Sequence, residues 1–257
     1  MVQTLVVPDP LTDLARLEGV PSGLAAARAA VDVVLTDRGL RAMNPEDVAS
    51  ALLAGARASA QLTEDPQGWI AGAVRLSTEL PTLAGVLRVA PGQALARAHT
   101  LAAFDHVPAG ELGRLRASDG VAARMTGLTE LLTSATEAPA LVLAAVAHAE
   151  VATVAPFGSA DDVVARAVER MVLISSGFDP RGVVVTEVGH LRRRADYQRL
   201  LGGYASGSIA GVRDWILHVA RAAVDGAEAS PIAIRSSTGR LHPSGRAELG
   251  MGGQGQT

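Results

Sequence analysis

The sequence of 257 residues contains no cysteine and no lysine, so all 23 side chains in the Lys+Arg total are arginine. Without cysteine there is no disulfide framework, thiol nucleophile, Cys-ligated zinc or iron–sulfur cluster. Without lysine there is no Walker A phosphate loop, no Schiff base to a pyridoxal cofactor and no kinase-type ATP lysine. Aromatic residues make up only 3% of the chain, so the core has to be built from small aliphatic side chains. The net charge of −3 gives no strong attraction to nucleic acid or to an acidic membrane, and neither is expected as a partner. Residues 1–5 lack the basic and apolar regions of a signal peptide, so a cytoplasmic location is expected. The longest apolar run, residues 139–157, is interrupted by His148 and Glu150. Charged groups at a helix centre are costly in lipid, which favours a buried helix over a membrane span.

Alanine is what the chain has in abundance, with 48 copies. It has the highest intrinsic helix propensity, and its small side chain lets helices approach closely, so an all-α domain is expected. After an extended start containing Pro8 and Pro10, the pattern predicts a helix over 22–37 that ends at Gly39. Another opens at Asn44-Pro45-Glu46-Asp47, an N-cap followed by proline, with Val48, Leu52, Ala56 and Ala60 on one stripe. Helical pattern follows from Pro66, with breaks expected at Pro81 and Pro91, then over 93–103, from Val121 and from Pro139. Turn residues dominate 105–120. A largely buried helix is expected over 159–176, and another along Ile209, Val212, Ile216, Val219 and Ala223. The expected domain is 11–227, and the glycine-rich segment 228–257 reads as a disordered tail.

No two of the six histidines show the i,i+4 spacing of a helical metal site, so no metal is expected, and His148 reads as a satisfied core histidine. Arg192-Arg193-Arg194, with Asp196 and Arg199, reads as the solvated face of one helix. Gly250 to Gly255 resembles a phosphate loop only in composition, and Arg235, Arg240 and Arg246 lack interleaved aromatics for stacking on nucleic acid.

Between residues 148 and 215 an ordered set of features stands out. His148-Ala149-Glu150 precedes a loop and helix start reading Ala155-Pro156-Phe157-Gly158-Ser159-Ala160-Asp161-Asp162-Val163, with Arg166 beyond. Gly177-Phe178-Asp179-Pro180, Tyr197 with Leu200, and Asp214-Trp215-Ile216 follow in order. This set resembles the core of a Fic (Fido) domain, the helical fold whose active members move AMP from ATP onto protein hydroxyls. The family signature is His-Pro-Phe-x-(Asp/Glu)-Gly-Asn-Gly-Arg-x-x-Arg. The resemblance implies that Pro156, Phe157, Ser159, Asp161, Asp162, Arg166 and Glu150 belong to a pocket.

The departures from that signature imply that the chemistry is lost. The signature histidine acts as general base, and its place is taken by Ala155, which cannot accept a proton. Gly-Asn-Gly, which exposes helix N-terminal amides to phosphates, becomes Ala160, Asp161 and Asp162. Those carboxylates, with Ser159, are expected to cap the helix. The first signature arginine is Val163. In the family the second meets the nucleotide's terminal phosphate or pairs with an inhibitory glutamate, whereas here the surviving Arg166 is expected to pair with Asp162 at i,i+4. An inhibitory-motif-like stretch, Ser50-Ala51-Leu52-Leu53-Ala54-Gly55, carries Ala54 where the family's glutamate stands. Only the four residues 117–120 follow Arg116 before the helix expected from Val121, little room for a target-docking hairpin.

The expectation is a pseudoenzyme that works by binding or protein interaction, with an unknown protein partner and a homodimer as one form. No cofactor is expected, and ATP with magnesium enters only if residual transfer survives. The alternative is a small-ligand enzyme using Asp161, Asp162 and Glu150 as acid/base groups.

Overall fold

A computed structural model of the chain describes residues 9–37 and 43–234. Pro8, Gly39, His242, Arg235, Arg240, Arg246 and glycines 250–255 lie outside the described residues. Among the described residues the architecture is all-α, with no strand.

Eleven helices are followed in chain order: α1 Pro10–Ala15, α2 Val20–Thr36, α3 Pro45–Gln61, α4 Pro66–Leu87, α5 Pro91–Ala103, α6 Val121–Thr133, α7 Ala140–Val154, α8 Asp161–Ser175, α9 Thr186–Arg192, α10 Arg194–Ala205 and α11 Ile209–Glu228. Local chemistry fixes several starts. Asn44 accepts from the Asp47 N–H while Asp47 accepts from the Asn44 N–H, which satisfies two donors that a helix start leaves open. Asp65 and Ser208 cap α4 and α11 by accepting one amide each, from Gly68 and Gly211.

Three expectations about segment limits are corrected. Pro10 is not in an extended start: it begins α1, whose first turn is capped by Asp9 through the Leu11 N–H. Pro81 does not break α4. Its ring lies on the exposed side of the helix, while Leu80, Leu83, Ala84 and Leu87 are buried, and that packing carries the helix through the lost hydrogen bond. The expected boundary at 227 is passed, because α11 continues to Glu228 and a further helical turn occupies 231–234. The described part of the expected tail is therefore ordered, and Ile232 is fully buried.

The architecture centres on α7 and α8, which pack most extensively on each other. α7 is buried almost all round, and in α8 every residue from Val163 to Leu173 is buried. α4 and α5 cover one side of α8, α3 and α9 pack against each other, and α11 joins α2, α9, α10 and α7 on the other side. Small residues permit this closeness. A Cβ at Gly72 would fall 2.0 Å from the Ala102 carbonyl oxygen between α4 and α5, and one at Gly189 would fall 2.0 Å from the Ala222 carbonyl oxygen between α9 and α11. Glycine on one helix facing alanine on the next thus gives helix crossings at backbone distance. No helix is long and apolar enough to cross a membrane among the described residues.

Candidate functional site

A cleft of about 580 Å³ opens at the N-terminal end of α8. Its floor is Ala155, Ala160, Asp161, Asp162 and Val163, and its walls come from Thr63, Glu64, Trp69, Arg194 and Gln198. Sequence reasoning placed Asp161 and Asp162 here. It missed Glu64, Trp69 and Arg194, which reach the cleft from the α3–α4 connection, α4 and α10. The arginine run 192–194 is not one solvated face. Arg193 separates α9 from α10 and binds Asp225 at 2.7 Å, so Arg194 can turn to the cleft.

The loop entering α8 is held from three directions. Arg116 donates through Nε to the Ala155 carbonyl at 2.7 Å and through Nη2 to the Val154 carbonyl at 2.8 Å, and its backbone N–H donates to Pro156. The buried Pro156 contributes that carbonyl. Phe157 stacks on the His99 ring with centroids 4.3 Å apart, and Ser159 Oγ meets His99 Nε2 at 3.0 Å. Asp161 accepts from the Phe157 N–H at 2.9 Å. The expectation that Ser159, Asp161 and Asp162 cap α8 is corrected: Ala160 is the N-cap, and no side chain caps the helix. Ser159 and Asp161 instead hold the loop that precedes it. Both carboxylates still sit in the first turn, where the helix dipole favours negative charge. Burial pushes the Asp161 carboxyl up to about 6 against the opposing pull of the Phe157 and Gly158 amides.

Arg166 does not pair with Asp162. Its side chain is 1% exposed and turns into the interior, where Nε donates to Ser59 Oγ at 2.9 Å, Nη2 to the Ser59 carbonyl at 2.9 Å and Nη1 to the Tyr197 hydroxyl at 3.1 Å. At i,i+4 the two residues share a helix side, but Asp162 remains at the cleft while the longer arginine finds a more complete set of acceptors. Nothing in the sequence marked Ser59 as its partner.

Glu150 is also separate from the cleft. It is bound by Arg124 at 2.6 Å and accepts from the Tyr204 hydroxyl at 2.7 Å, beside a different cavity of about 490 Å³. It is therefore not an acid/base partner of Asp161. The inhibitory-motif-like residues do not line the cleft either: Ser50 is exposed, Ala54 is half-buried, and Gly55 packs against Glu187, which is paired with Arg170 at 2.7 Å.

Beneath the cleft lies a buried polar network that sequence spacing did not reveal. His148 Nδ1 is 2.5 Å from Glu169 Oε2, His190 Nε2 is 2.9 Å from the same oxygen, and His190 Nδ1 is 3.1 Å from His218 Nε2. Arg166 donates to Tyr197, so the tyrosine proton is available to His148 Nε2 at 2.8 Å, and His148 then presents Nδ1–H to Glu169. Burial alone would raise the Glu169 carboxyl, but the His190 and His148 donors hold it below the usual carboxylate range. Burial likewise lowers His148 and His218. By residue type His148, Glu169 and His190 could ligate a divalent metal, with ligand atoms all within 4.8 Å of one another. The 2.5 and 2.9 Å separations are hydrogen-bond distances, and bonds of ~2.0–2.2 Å to one metal would require the ligands to spread. The expectation of a satisfied core histidine at His148 agrees with this geometry.

Comparison with known proteins gives a fold relationship. No family model and no curated protein matches the sequence. Among solved structures, the chain resembles a Fic family protein from Desulfovibrio desulfuricans G20, with a TM-score of 0.61 and 17% sequence identity over 86% of this chain and 75% of that one. The chain has a Fic-like fold.

Proposed function

We propose that this chain is a catalytically degenerate Fic-fold protein that acts by binding, through a protein partner, and does not transfer AMP. The observation that carries this reading is the direction of Arg166. The arginine expected from the family signature to meet a nucleotide phosphate is buried, and all three of its guanidinium nitrogens are engaged by Ser59 and Tyr197. Nothing replaces it at the cleft floor, where Val163 is apolar and Asp161 and Asp162 are acidic. A triphosphate would meet two carboxylates at the helix end, offset on the cleft wall by Arg194 alone among the described residues. Ala155 supplies no general base. Such a role requires neither nucleotide nor magnesium.

The test is incubation of the purified chain with labelled ATP, magnesium and a cell lysate. No label should pass to the chain or to lysate proteins. Time-dependent labelling that disappears in Asp161→Ala or Asp162→Ala would overturn the reading.

A second reading follows from the acidic lining: Asp161, Asp162 and Glu64 suit a small cationic ligand better than an anionic one. Thermal stabilisation by such a ligand, abolished in Asp162→Ala, would support it.

A further inference from the structure

The loop 155–160 has a strained backbone. Ala155 and Ala160, at its two ends, are the only non-glycine residues with positive φ among the described residues, at 46° and 55°. A side chain with a Cβ adopts this region reluctantly, so contacts outside the loop must hold it there.

His99 makes the most chemically selective of those contacts. Its side chain is buried on α5, its ring lies almost parallel to Phe157 at 7°, Nε2 meets Ser159 Oγ, and Nδ1 accepts the Gly113 N–H at 2.9 Å. A backbone N–H can only donate, so His99 Nδ1 has to carry a lone pair and the imidazole has to be neutral. A protonated ring would present N–H to N–H at Gly113. Gly113 belongs to the 104–120 connection, so one neutral ring joins that connection to the loop that forms the cleft floor.

We propose that His99 is the clasp of a proton-operated latch: neutral, it ties the 155–160 loop to the 104–120 connection, and protonated, it releases Gly113 and loosens the seam. An apolar cavity of about 230 Å³ lies along this seam, lined by Leu95, Gly113, Leu115, Met125 and Phe157. Release of the clasp opens this cavity and frees the cleft floor.

The charged and titratable groups carried by the surrounding elements are Arg75 and Glu79 on α4, Arg97 on α5, Asp105, His106, Glu111, Arg114, Arg116 and Asp119 in the connection, Arg124 and Glu130 on α6, and Asp161, Asp162, Arg166, Glu169 and Arg170 on α8. Burial alone lowers His99 below its ordinary value. Asp161 is the second titrating group at the loop. Burial raises its carboxyl while the Phe157 and Gly158 amides of the loop lower it, so it takes up a proton in the same pH range, and the response has to be measured with and without it.

The experiment is amide hydrogen exchange of the full chain at about pH 7.5 and about pH 5, corrected for intrinsic rates, with the His99 imidazole followed by NMR. Protection at Gly113 and over 155–160 is expected to fall about five- to tenfold at the lower pH, the scale of one lost hydrogen bond, as His99 takes up its proton. Asp161→Asn is expected to retain the response. His99→Phe keeps the stacking and removes both nitrogens, and it is expected to show the low protection at both pH values. Unchanged protection at Gly113 while His99 titrates, absence of His99 titration before acid unfolding, a response that survives in His99→Phe, or one that vanishes in Asp161→Asn would each overturn the proposal.

Discussion

Arg166 on α8 and Ser59 on α3 are joined twice, through the Ser59 hydroxyl and through its carbonyl, each at 2.9 Å. This pairing turns an arginine that the sequence resemblance associates with a ligand into part of the interior. It also links the helix that forms the cleft floor to the helix that carries the inhibitory-motif-like stretch. Arg166 supplies buried donors to Ser59 and Tyr197, so its removal leaves those acceptors unsatisfied in the interior. Arg166→Met is expected to destabilise the fold by about 3–5 kcal/mol, and Ser59→Ala by about 1–3 kcal/mol. Urea denaturation measures both. Losses below about 1 kcal/mol in Arg166→Met would show that the arginine is not structural.

Asp161 makes stability depend on pH in an unusual direction. Its carboxyl is raised from 3.8 to about 6, so the folded state binds more protons than the unfolded state between those values. The contribution of this residue is therefore most favourable at low pH and is lost as pH rises through about 6. Asp161→Asn is expected to be more stable than wild type above pH 6, by roughly 2 kcal/mol, and to match it near pH 4. Thermal unfolding across this range checks the sign. His99 acts oppositely: its folded value lies below 6.5, so its contribution is present above that pH and falls on acidification.

The close crossings make a packing prediction. In Gly72→Ala and Gly189→Ala the new methyl would lie 2.0 Å from a carbonyl oxygen of a neighbouring helix, so the helices have to separate. Each substitution is expected to cost about 1–3 kcal/mol in chemical denaturation, although alanine is the better helix former.

The two left-handed alanines predict the reverse. Ala155→Gly and Ala160→Gly are expected to be neutral or to stabilise by up to about 1 kcal/mol, because glycine adopts positive φ freely. Ala26→Gly, at an exposed position inside α2, is expected to cost about 1 kcal/mol. The contrast between these sites is the measurement.

Restoring one residue is not expected to restore chemistry. Ala155→His supplies an imidazole at the cleft but leaves Asp161, Asp162 and Val163 in place and Arg166 buried. Label transfer from ATP should remain absent in this variant.

Much of the fold was legible in the sequence because its signals are local. Asn44-Pro45 announces α3, alanine abundance announces closely packed helices, and the apolar run after Pro139 is α7. Pro81 misled because the packing of Leu80, Leu83 and Leu87 outweighs one missing hydrogen bond. At the site, Asp161 and Asp162 were readable from the departure at the signature loop. Glu64, Trp69 and Arg194 were not, since they come from three other segments. The same limit hid the histidines: His148, His190 and His218 meet around Glu169 from three helices with no shared spacing, and Arg166 finds Ser59 across 107 residues of chain.

The most direct measurement of the central claim is calorimetric titration of the full chain with ATP and magnesium at neutral pH, beside Asp161→Asn and Asp162→Asn. A cleft floor of carboxylates with its arginine turned inward predicts no saturable binding by wild type. Saturable micromolar binding by wild type, weakened by either substitution, would contradict it.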